Sequence, residues 1–385
     1  MCCACVPPVR ARRRIRPGRT FKCAVTITVP EARSDRQHYQ RRRMNAASTA
    51  ACLLVAAVSC YLYGYDVLSS LLSVPDDPSM PEPGAGPRRS PQGVPYTELP
   101  HIVNADGQHL FCRYWEPAGP PRALVFIAHG AGEHSGPYNE MAQRLKELSL
   151  LVFAHDHVGN GQSEGERMNI KEFQVYVRDS LQHIDLIKSR HPDLPVFIVG
   201  HSMGGAISIL AACERPSDFA GVVLIAPMVQ MSPDSVTPFK VFVAKLLNHM
   251  LPSLPLGSIE SKWVSRDKKQ VEAYDTDELN YHGRLRVSFG MQLMAATERI
   301  EREIPSISWP FLLLHGDADK LCEIQGSKMM YENVASSDKK FKIYEGGYHA
   351  LHHDLPEVAE SVLKDVTSWI TERLPASTTP QQQGL

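Results

Sequence analysis

Cysteine is scarce over most of this chain. Of the nine cysteines, only Cys112, Cys213 and Cys322 lie beyond residue 60. Three scattered cysteines in so long a stretch do not form a disulfide framework, which favours a reduced, intracellular type of domain over a small disulfide-bonded secreted one. No pair of CxxC motifs is present, so the sequence also argues against a structural zinc site.

The chain as a whole carries almost no net charge, because its formal net charge is −1. Residues 1–45 carry twelve Lys and Arg against Glu31 and Asp35, which gives +10, so the rest of the chain holds 29 basic and 40 acidic groups, or −11. A mildly acidic body argues against nucleic-acid binding. With 43% hydrophobic and 22% charged residues, the chain is neither wholly disordered nor a polytopic membrane protein.

Nucleotide-binding motifs are absent. There is no Walker A sequence, and the glycine pairs at 130–132 and 159–161 are followed by Ser135 and Glu164 where a dinucleotide fingerprint requires glycine. The histidines near position 350 lack a carboxylate or thiol at metal-binding spacing. We therefore expect neither a cofactor nor a metal.

The N-terminal part differs from the rest in composition. Residues 1–79 are predicted to form a disordered basic segment with a hydrophobic stretch at 44–74, followed by a Pro-rich linker at 80–100. Residues 44–65 carry no charge and are long enough to span a bilayer, so one hypothesis is a single-pass anchor. The others are a cytosolic enzyme that associates peripherally with membranes, and a shorter chain that starts at Met80.

Apolar runs alternate with helical patterns through the body of the chain. After a hairpin at 101–116 with Asp106-Gly107 as its turn, the predicted strands are 123–128, 149–155, 195–200, 221–226, 311–315 and 341–345. The predicted helices are 137–148, 171–190, 203–214, 325–335 and 356–374. Runs that are apolar throughout suit strands buried on both faces, so we predict a doubly wound, mainly parallel α/β sheet.

One interval breaks this rhythm, because no strong strand pattern appears from 228 to 306. We predict an inserted helical cap, or lid, there, with the core formed by 101–227 and 307–375 and a disordered tail at 376–385. Residues 238–251 are too apolar for a single buried stripe. One interpretation is an amphipathic lid helix that touches a bilayer, and the other is a helix buried on both sides.

The strongest motif is Gly200-His201-Ser202-Met203-Gly204, which matches G-x-S-x-G. It follows a predicted strand and precedes a predicted helix, where a sharp turn would expose the Ser202 hydroxyl as a nucleophile. Met203 would be the first residue of that helix, so its N–H would stabilise the negative charge that develops on the substrate oxygen. The loop 129–132 after an earlier strand offers the Ala131 N–H as the second oxyanion donor.

A serine nucleophile needs a base and an acid that orients it. Asp319 follows the predicted strand 311–315 and His349 follows 341–345, so the chain order Ser, Asp, His is that of α/β-hydrolases. Asp317 is an alternative to Asp319 and could instead cap the next helix. His352 and His353 compete weakly with His349, because they lie further from the strand end.

Five segments together resemble the vertebrate monoglyceride lipase family of α/β-hydrolases, which cleave monoacylglycerols. They are HGAGEHSG (129–136), AHDHVGNGQSEG (154–165), GHSMGG (200–205), LLLHGDADKLC (312–322) and KIYEGGYHALHHDLPEV (342–358). The resemblance runs roughly from Met80 to Leu374. It implies a triad of Ser202, Asp319 and His349, oxyanion donors at Ala131 and Met203, and a mobile lid over an acyl tunnel.

The resemblance also implies groups around the glycerol at Glu133, His201 and Tyr274, and a modifiable thiol at Cys322, which could equally be a small buried hydrophobe. Two positions depart from the family pattern: Pro137 stands where arginine is usual, and Asn160 replaces a histidine. Both concern the glycerol end of the site and its loops rather than the triad.

The expected function is a serine hydrolase that cleaves monoacylglycerols, including 2-arachidonoylglycerol, through an acyl-enzyme on Ser202. The alternatives are a broader esterase or lysophospholipase, an acyltransferase, and a catalytically inactive scaffold that binds partners through its cap. The expected partners are the lipid substrate and a membrane surface, contacted through the lid and the N-terminal hydrophobic stretch. A homodimer is left open.

Overall fold

The computed structural model describes residues 87–230 and 247–375. The N-terminal predictions for residues 1–79, the tail at 376–385 and most of the apolar segment 238–251 therefore lie outside the described residues. Within the described ranges, no helix is long and apolar enough to cross a bilayer.

An eight-stranded sheet forms the centre of the fold. The strands of the chain are β1 (His101–Val103), β2 (His109–Trp115), β3 (Ala123–Ala128), β4 (Leu150–His155), β5 (Val196–His201), β6 (Phe219–Ile225), β7 (Pro255–Gly257), β8 (Leu285–Arg286), β9 (Phe311–Gly316) and β10 (Lys339–Tyr344). The order in the large sheet is β1-β2-β4-β3-β5-β6-β9-β10. Along this order, all neighbouring strands from β4 to β10 pair in parallel. At the other edge β1 and β2 form an antiparallel hairpin, and β2 pairs antiparallel with β4.

Helices cover both faces of this sheet. They are α1 (Asn139–Glu147), α2 (Gln174–Lys188), α3 (Met203–Glu214), α6 (Ile324–Asn333) and α7 (Pro356–Thr371). Two further helices, α4 (Lys268–Thr276) and α5 (Val287–Glu303), lie between β6 and β9 along the chain. Alternate residues of β3 enter two separate cores: Leu124 and Phe126 pack in the core with α2 and α3, whereas Val125 and Ile127 pack in the core with α1 and α7. This explains why the strand is apolar at every position.

The predicted fold class is confirmed, and the predicted strands and helices of the core differ from the observed ones by only a few residues. The hairpin forms with Gly107 at φ 75°, a conformation that glycine adopts easily. Residues 87–100, part of the predicted linker, are mostly exposed or half-buried, but the segment is fixed to the core at Tyr96. Tyr96 is buried, and its hydroxyl donates a hydrogen bond to the carbonyl of Gln162 at 2.6 Å.

The segment between β6 and β9 contains the predicted cap at 228–306, of which residues 228–230 and 247–306 are described. They include α4, α5 and a short antiparallel ribbon of β7 and β8 that the sequence analysis did not anticipate. The N–H of Tyr281 donates to the carbonyl of Gly132 at 2.8 Å, and the N–H of Ala350 donates to the carbonyl of Val264 at 2.8 Å. This segment thus forms main-chain hydrogen bonds with the loops that follow β3 and β10.

Candidate active site

Ser202 lies on a strained turn between β5 and α3. Its backbone has φ 56° and ψ −119°, a conformation that costs energy for a residue with a side chain. The turn is held by the Ser202 N–H, which donates to the Ile225 carbonyl at 3.1 Å, and by the Met228 N–H, which donates to the Ser202 carbonyl at 3.0 Å. These bonds hold the Ser202 backbone on both sides, as the predicted nucleophile elbow requires.

Glycine is required at both ends of the motif for steric reasons. A Cβ at Gly200 would collide with the Gly204 backbone and the Ser208 hydroxyl. A Cβ at Gly204 would collide with the carbonyls of Ala128 and His129. The two glycines therefore allow helix α3 to approach both its own strand and the neighbouring strand β3.

Asp319 follows β9 and is held by four groups. Its Oδ1 accepts hydrogen bonds from the N–H groups of Leu321 at 2.8 Å and Cys322 at 3.0 Å, while its Oδ2 lies 2.8 Å from His349 Nδ1 and 3.2 Å from His315 Nε2. Burial alone would raise the pKa of Asp319, but the positive charge available at His349 and the hydrogen bonds of both histidines hold it well below its usual value. The carboxyl group is therefore an ionised acceptor.

His349 is oriented by this carboxylate. Because an ionised carboxylate only accepts, His349 Nδ1 carries the proton, and Nε2 is the nitrogen that can receive another. The ring is buried in the loop after β10. Ser202, Asp319 and His349 all line the same cavity, so the structure brings together the three residues that the sequence analysis singled out.

Asp317 and His352, the alternatives for the acid and the base, make other contacts. Asp317 is exposed, and its Oδ1 accepts a hydrogen bond from the Gly346 N–H at 2.6 Å. His352 is buried with its ring stacked on Tyr138 at 5.0 Å, and burial holds its pKa well below the usual value. The contact between Asp319 and His349 therefore supports these two residues over their neighbours.

The loop after β3 presents the Ala131 N–H. The ring of His129 is fully buried, and its Nδ1 donates to the Gly130 carbonyl at 2.8 Å, while its Nε2 accepts from the His157 N–H at 2.9 Å. The Gly130 carbonyl and the Ala131 N–H belong to one planar peptide unit, and they point in opposite directions. By holding the carbonyl, His129 therefore fixes the direction of the Ala131 N–H.

The second predicted donor is the N–H of Met203. Met203 is the first residue of α3, so its N–H has no partner within the helix and lies at the positive end of the helix dipole. Ala131 and Met203 both line the cavity that contains Ser202. Both can therefore face an oxygen that is bonded to the carbon under attack.

We call this space the catalytic cavity; it measures about 600 Å³. Its apolar wall includes Met228, Ile259, Leu285, Leu293 and Leu321. Among the predicted glycerol contacts, Glu133 and Tyr274 line the cavity. His201 is instead fully buried and, among the residues described, is not part of this wall.

Glu133 and His201 are connected through Tyr138. The Tyr138 hydroxyl lies 2.8 Å from Glu133 Oε2 and 2.9 Å from His201 Nδ1, and His201 Nδ1 lies 3.5 Å from Glu133 Oε1. Burial alone would raise the pKa of Glu133, but the charge and hydrogen bond of His201 hold it well below its usual value. His201 therefore stabilises the ionised form of Glu133 from a buried position outside the cavity wall.

Cys322 is buried in the wall of the catalytic cavity, and its Sγ lies 3.9 Å from Ser202 Oγ. Burial, together with the nearby Asp319 carboxylate, raises the pKa of this thiol well above its ordinary value. A thiol that remains protonated reacts slowly, so the geometry favours the interpretation as a small buried hydrophobe.

Three residues of this site were missed by sequence reasoning: His129, Tyr138 and His315. His315 is the second-last residue of β9, and its Nε2 faces both the Cys322 carbonyl at 3.0 Å and the carboxylate of Asp319. Position at the carboxyl end of a strand is the signal that could have identified His129 and His315. Tyr138 carries no such signal, because it does not lie at a strand end and its partner His201 is 63 positions away.

Within the described ranges, no group of three or more His, Cys, Asp or Glu side chains could hold a metal ion. A strained serine at a strand-to-helix turn, a histidine on an ionised aspartate and two convergent N–H groups on a mainly parallel sheet together define the α/β-hydrolase class.

Comparisons with known proteins narrow this class. Residues 119–356 match the family model described as serine aminopeptidase, S33. Mouse monoglyceride lipase is 56% identical over 298 residues, which cover 77% of this chain and 98% of the mouse protein, and human monoglyceride lipase is 56% identical over 76% of this chain and 97% of its own. The crystal structure of Paleococcus ferrophilus monoacylglycerol lipase aligns with a TM-score of 0.61 at 31% identity, covering 69% of this chain and 99% of that one. The chain belongs to the monoglyceride lipase family of α/β-hydrolases.

Proposed function

We propose that this protein hydrolyses monoacylglycerols to a free fatty acid and glycerol, with Ser202 as the nucleophile. The contact between His349 Nδ1 and Asp319 Oδ2 at 2.8 Å, beside a serine on a strained turn, is the observation that carries the proposal. Family membership supports ester hydrolysis on an acylglycerol as the reaction.

In the proposed mechanism, His349 Nε2 takes the proton of the Ser202 hydroxyl while Oγ attacks the ester carbonyl carbon. The oxygen that becomes negative accepts hydrogen bonds from the N–H groups of Ala131 and Met203. The ester bond then breaks, and His349 gives its proton to the departing glycerol oxygen. Asp319 stabilises the imidazolium between these steps.

The acyl-enzyme left on Ser202 is resolved by water. His349 takes a proton from the water as its oxygen attacks the acyl carbonyl, and the second tetrahedral intermediate releases the fatty acid and restores the Ser202 hydroxyl. An alcohol in place of water would give acyl transfer. The same residues serve both outcomes, so a comparison of product with water and with added alcohol separates hydrolase from transferase.

The apolar wall of the catalytic cavity suits a fatty acyl chain. Each buried CH₂ group contributes roughly 0.8 kcal/mol to binding, so a chain of about 18–20 carbons supplies most of the binding free energy. We propose long-chain substrates, including 2-arachidonoylglycerol. We propose that residues 228–306 form the lid that admits this chain and that 101–227 and 307–375 form the hydrolase core. Peripheral membrane association and a homodimer stay predictions.

The test is the rate of fatty acid release from monooleoylglycerol by the full chain and by Ser202→Ala. We expect the variant to lose activity by several orders of magnitude while it keeps the fold, checked by circular dichroism. Ser208→Ala is the matched control, because Ser208 lies on the same helix and its hydroxyl only donates to the Gly204 carbonyl at 2.7 Å. Retained turnover in Ser202→Ala, or no labelling of Ser202 by a fluorophosphonate probe, would remove the proposed nucleophile.

A second comparison addresses substrate breadth. Rates on mono-, di- and trioleoylglycerol and on a lysophospholipid, measured with the same preparation, separate a monoacylglycerol lipase from a general esterase or lysophospholipase. We expect monooleoylglycerol to be the best of the four.

A further inference from the structure

A second, smaller space adjoins the catalytic cavity, and we call it the side pocket. It measures about 300 Å³ and shares Glu133, Val264 and Tyr274 with the catalytic cavity. Ala350, the residue after His349, also lines it. The alcohol that leaves the acyl carbon after it takes a proton from His349 therefore lies next to this pocket. The apolar wall that suits the acyl chain belongs to the catalytic cavity.

The side pocket has hydrogen-bonding capacity that the protein leaves unused. Asn280 is 7% exposed, and its Nδ2 donates to the Tyr274 carbonyl at 3.1 Å, but its Oδ1 has no partner among the described residues. His353 Nε2 is also buried without a described partner. Both residues line the pocket. An unpaired buried acceptor is costly unless something binds it, so Asn280 Oδ1 calls for a ligand or a water.

The side pocket is lined by two carboxyl groups and one histidine. Burial alone would raise the pKa values of both carboxyl groups that line it, but hydrogen bonds and nearby histidines hold Glu133 and Asp277 below their ordinary values, so both are ionised at neutral pH. Burial lowers the pKa of His353, which is therefore neutral. Among the described lining residues there is no lysine or arginine.

The groups that face these carboxylates from neighbouring elements are histidines and one arginine. His134 Nε2 lies 2.8 Å from Asp277 Oδ2, and His201 lies behind Glu133. Arg113 approaches the pocket at Gly136, but its Nε donates to the Ser135 hydroxyl at 3.2 Å and its guanidinium lies 5.2 Å from the centre of the Phe111 ring. No described lysine or arginine side chain thus occupies the pocket.

Tyr274 adds an aromatic wall to the same pocket. Two carboxylates, an aromatic ring and an unpaired amide oxygen are the chemistry that recognises a cation, above all an alkylated ammonium that can lie against a ring. A neutral polyol would use the acceptors but not the charge. A volume of about 300 Å³ has room for a trimethylammonium group.

We propose that the side pocket accepts a cationic leaving alcohol, so that the enzyme hydrolyses long-chain acyl esters of choline-type amino alcohols besides monoacylglycerols. The proposal rests on the proposed function, since it uses the same Ser202 chemistry. One water is consumed, the ester C–O bond breaks, and the products are a fatty acid and the ammonium alcohol, which takes its proton from His349.

The test compares two esters of identical shape and different charge. Oleoylcholine carries a trimethylammonium group, and the oleate ester of 3,3-dimethylbutan-1-ol has a neutral tert-butyl group in its place. With kcat/KM measured below the critical micelle concentration, and active sites counted by fluorophosphonate titration, we expect the cationic ester to be preferred by about tenfold. Raised ionic strength should reduce this preference, because salt screens charge.

The variant Asp277→Asn tests whether the preference for the cationic ester arises in the side pocket. The ratio of kcat/KM for the cationic over the neutral ester should fall at least severalfold in this variant, and the ratio is insensitive to partial loss of folded protein. Asp275→Asn is the matched control: Asp275 lies in the last turn of helix α4, two residues before Asp277, and it is exposed and does not line the pocket. We expect its ratio and its activity to equal those of the unmodified chain.

The outcomes separate the two proposals. If monooleoylglycerol is hydrolysed but the two oleate esters react equally well, the cationic pocket is wrong and the proposed function stands. If the cationic ester is preferred and Asp277→Asn leaves the ratio unchanged, the assignment to the side pocket is wrong. If none of the three esters is hydrolysed, the proposed function itself fails.

Discussion

Two groups of buried histidines lie near the carboxyl ends of the parallel strands, and they differ in what they contact. His315 and His349 both face the ionised carboxylate of Asp319. His155, His157 and His183 instead contact each other: His155 lies 3.2 Å from His183 and 3.3 Å from His157, nitrogen to nitrogen. Both groups are buried to a similar degree.

The difference shows that the hydrogen-bond partner, rather than burial, decides which histidine can accept a proton during a reaction. Burial lowers the pKa of His183 to about 3 and holds those of His155 and His157 well below the usual value. Neutral rings can form this chain, since each offers one donor and one acceptor. At His349 the Asp319 carboxylate lies where it would stabilise the imidazolium of the proposed general base step.

The largest expected effect comes from removing that carboxylate charge. Asp319→Asn should lower kcat on monooleoylglycerol by a factor on the order of 10⁴, because an amide no longer fixes the His349 tautomer or stabilises the imidazolium. Asp317→Asn is the control, since its carboxylate is exposed and accepts a main-chain hydrogen bond. A larger loss in Asp317→Asn than in Asp319→Asn would reverse the assignment of the acid.

His129 joins the group without a carboxylate to the loop 129–132, because its Nε2 accepts the His157 N–H and its Nδ1 donates to the Gly130 carbonyl. His129→Leu should lower kcat by up to a factor on the order of 10² with little change in KM, since the Ala131 N–H would lose its fixed direction. His129→Asn, whose amide can still donate near the position of Nδ1, should recover part of the loss.

Affinity for a trifluoromethyl ketone inhibitor checks this interpretation of His129. The inhibitor forms an oxyanion on Ser202, so its dissociation constant should rise in proportion to the fall in kcat/KM across the two variants. A rise in KM with kcat unchanged would contradict the positioning role and indicate damage to substrate binding instead.

The smallest expected effect is on stability and concerns the histidines without a carboxylate. Their pKa values are lower in the folded than in the unfolded chain, so below about pH 6.5 the unfolded state binds protons that the folded state does not. The free energy of unfolding should therefore fall as pH drops from about 6.5 towards 3, by on the order of 1 kcal/mol per pH unit for each ring.

His183→Phe tests this pH dependence. The variant should show a shallower fall in denaturation midpoint between pH 7.5 and 5.5, because one of the rings that protonates on unfolding is gone. His249→Asn, at an exposed histidine, should keep the slope of the unmodified chain. Equal slopes in all three proteins would show that the buried chain does not govern acid stability.

The sequence predicted what depends on local pattern. The turn at Ser202, the strand ends before Asp319 and His349, and helix α3 at 203–214 follow from motif, chain order and continuous apolar runs. Parallel strands bring their carboxyl ends to one edge, which is why residues more than a hundred positions apart could be grouped without coordinates.

The remaining features depend on distant pairs that no local pattern shows. The contact of Tyr138 with His201 spans 63 positions, and the contact of His315 with Asp319 depends on how the loop after β9 folds back. Residues 87–100 have a composition typical of linkers, yet Tyr96 finds its partner 66 positions away. The ribbon of β7 and β8 is too short to produce a periodic signal.

The hydrogen bond from the Tyr281 N–H to the Gly132 carbonyl has an evolutionary consequence. Both partners are main-chain atoms, so on the cap side any residue except proline can form this contact. Side chains of the cap are therefore free to diverge between descendants of a common ancestor while the loop beneath keeps its shape. Such an arrangement allows new substrate preferences to arise without rebuilding the catalytic machinery.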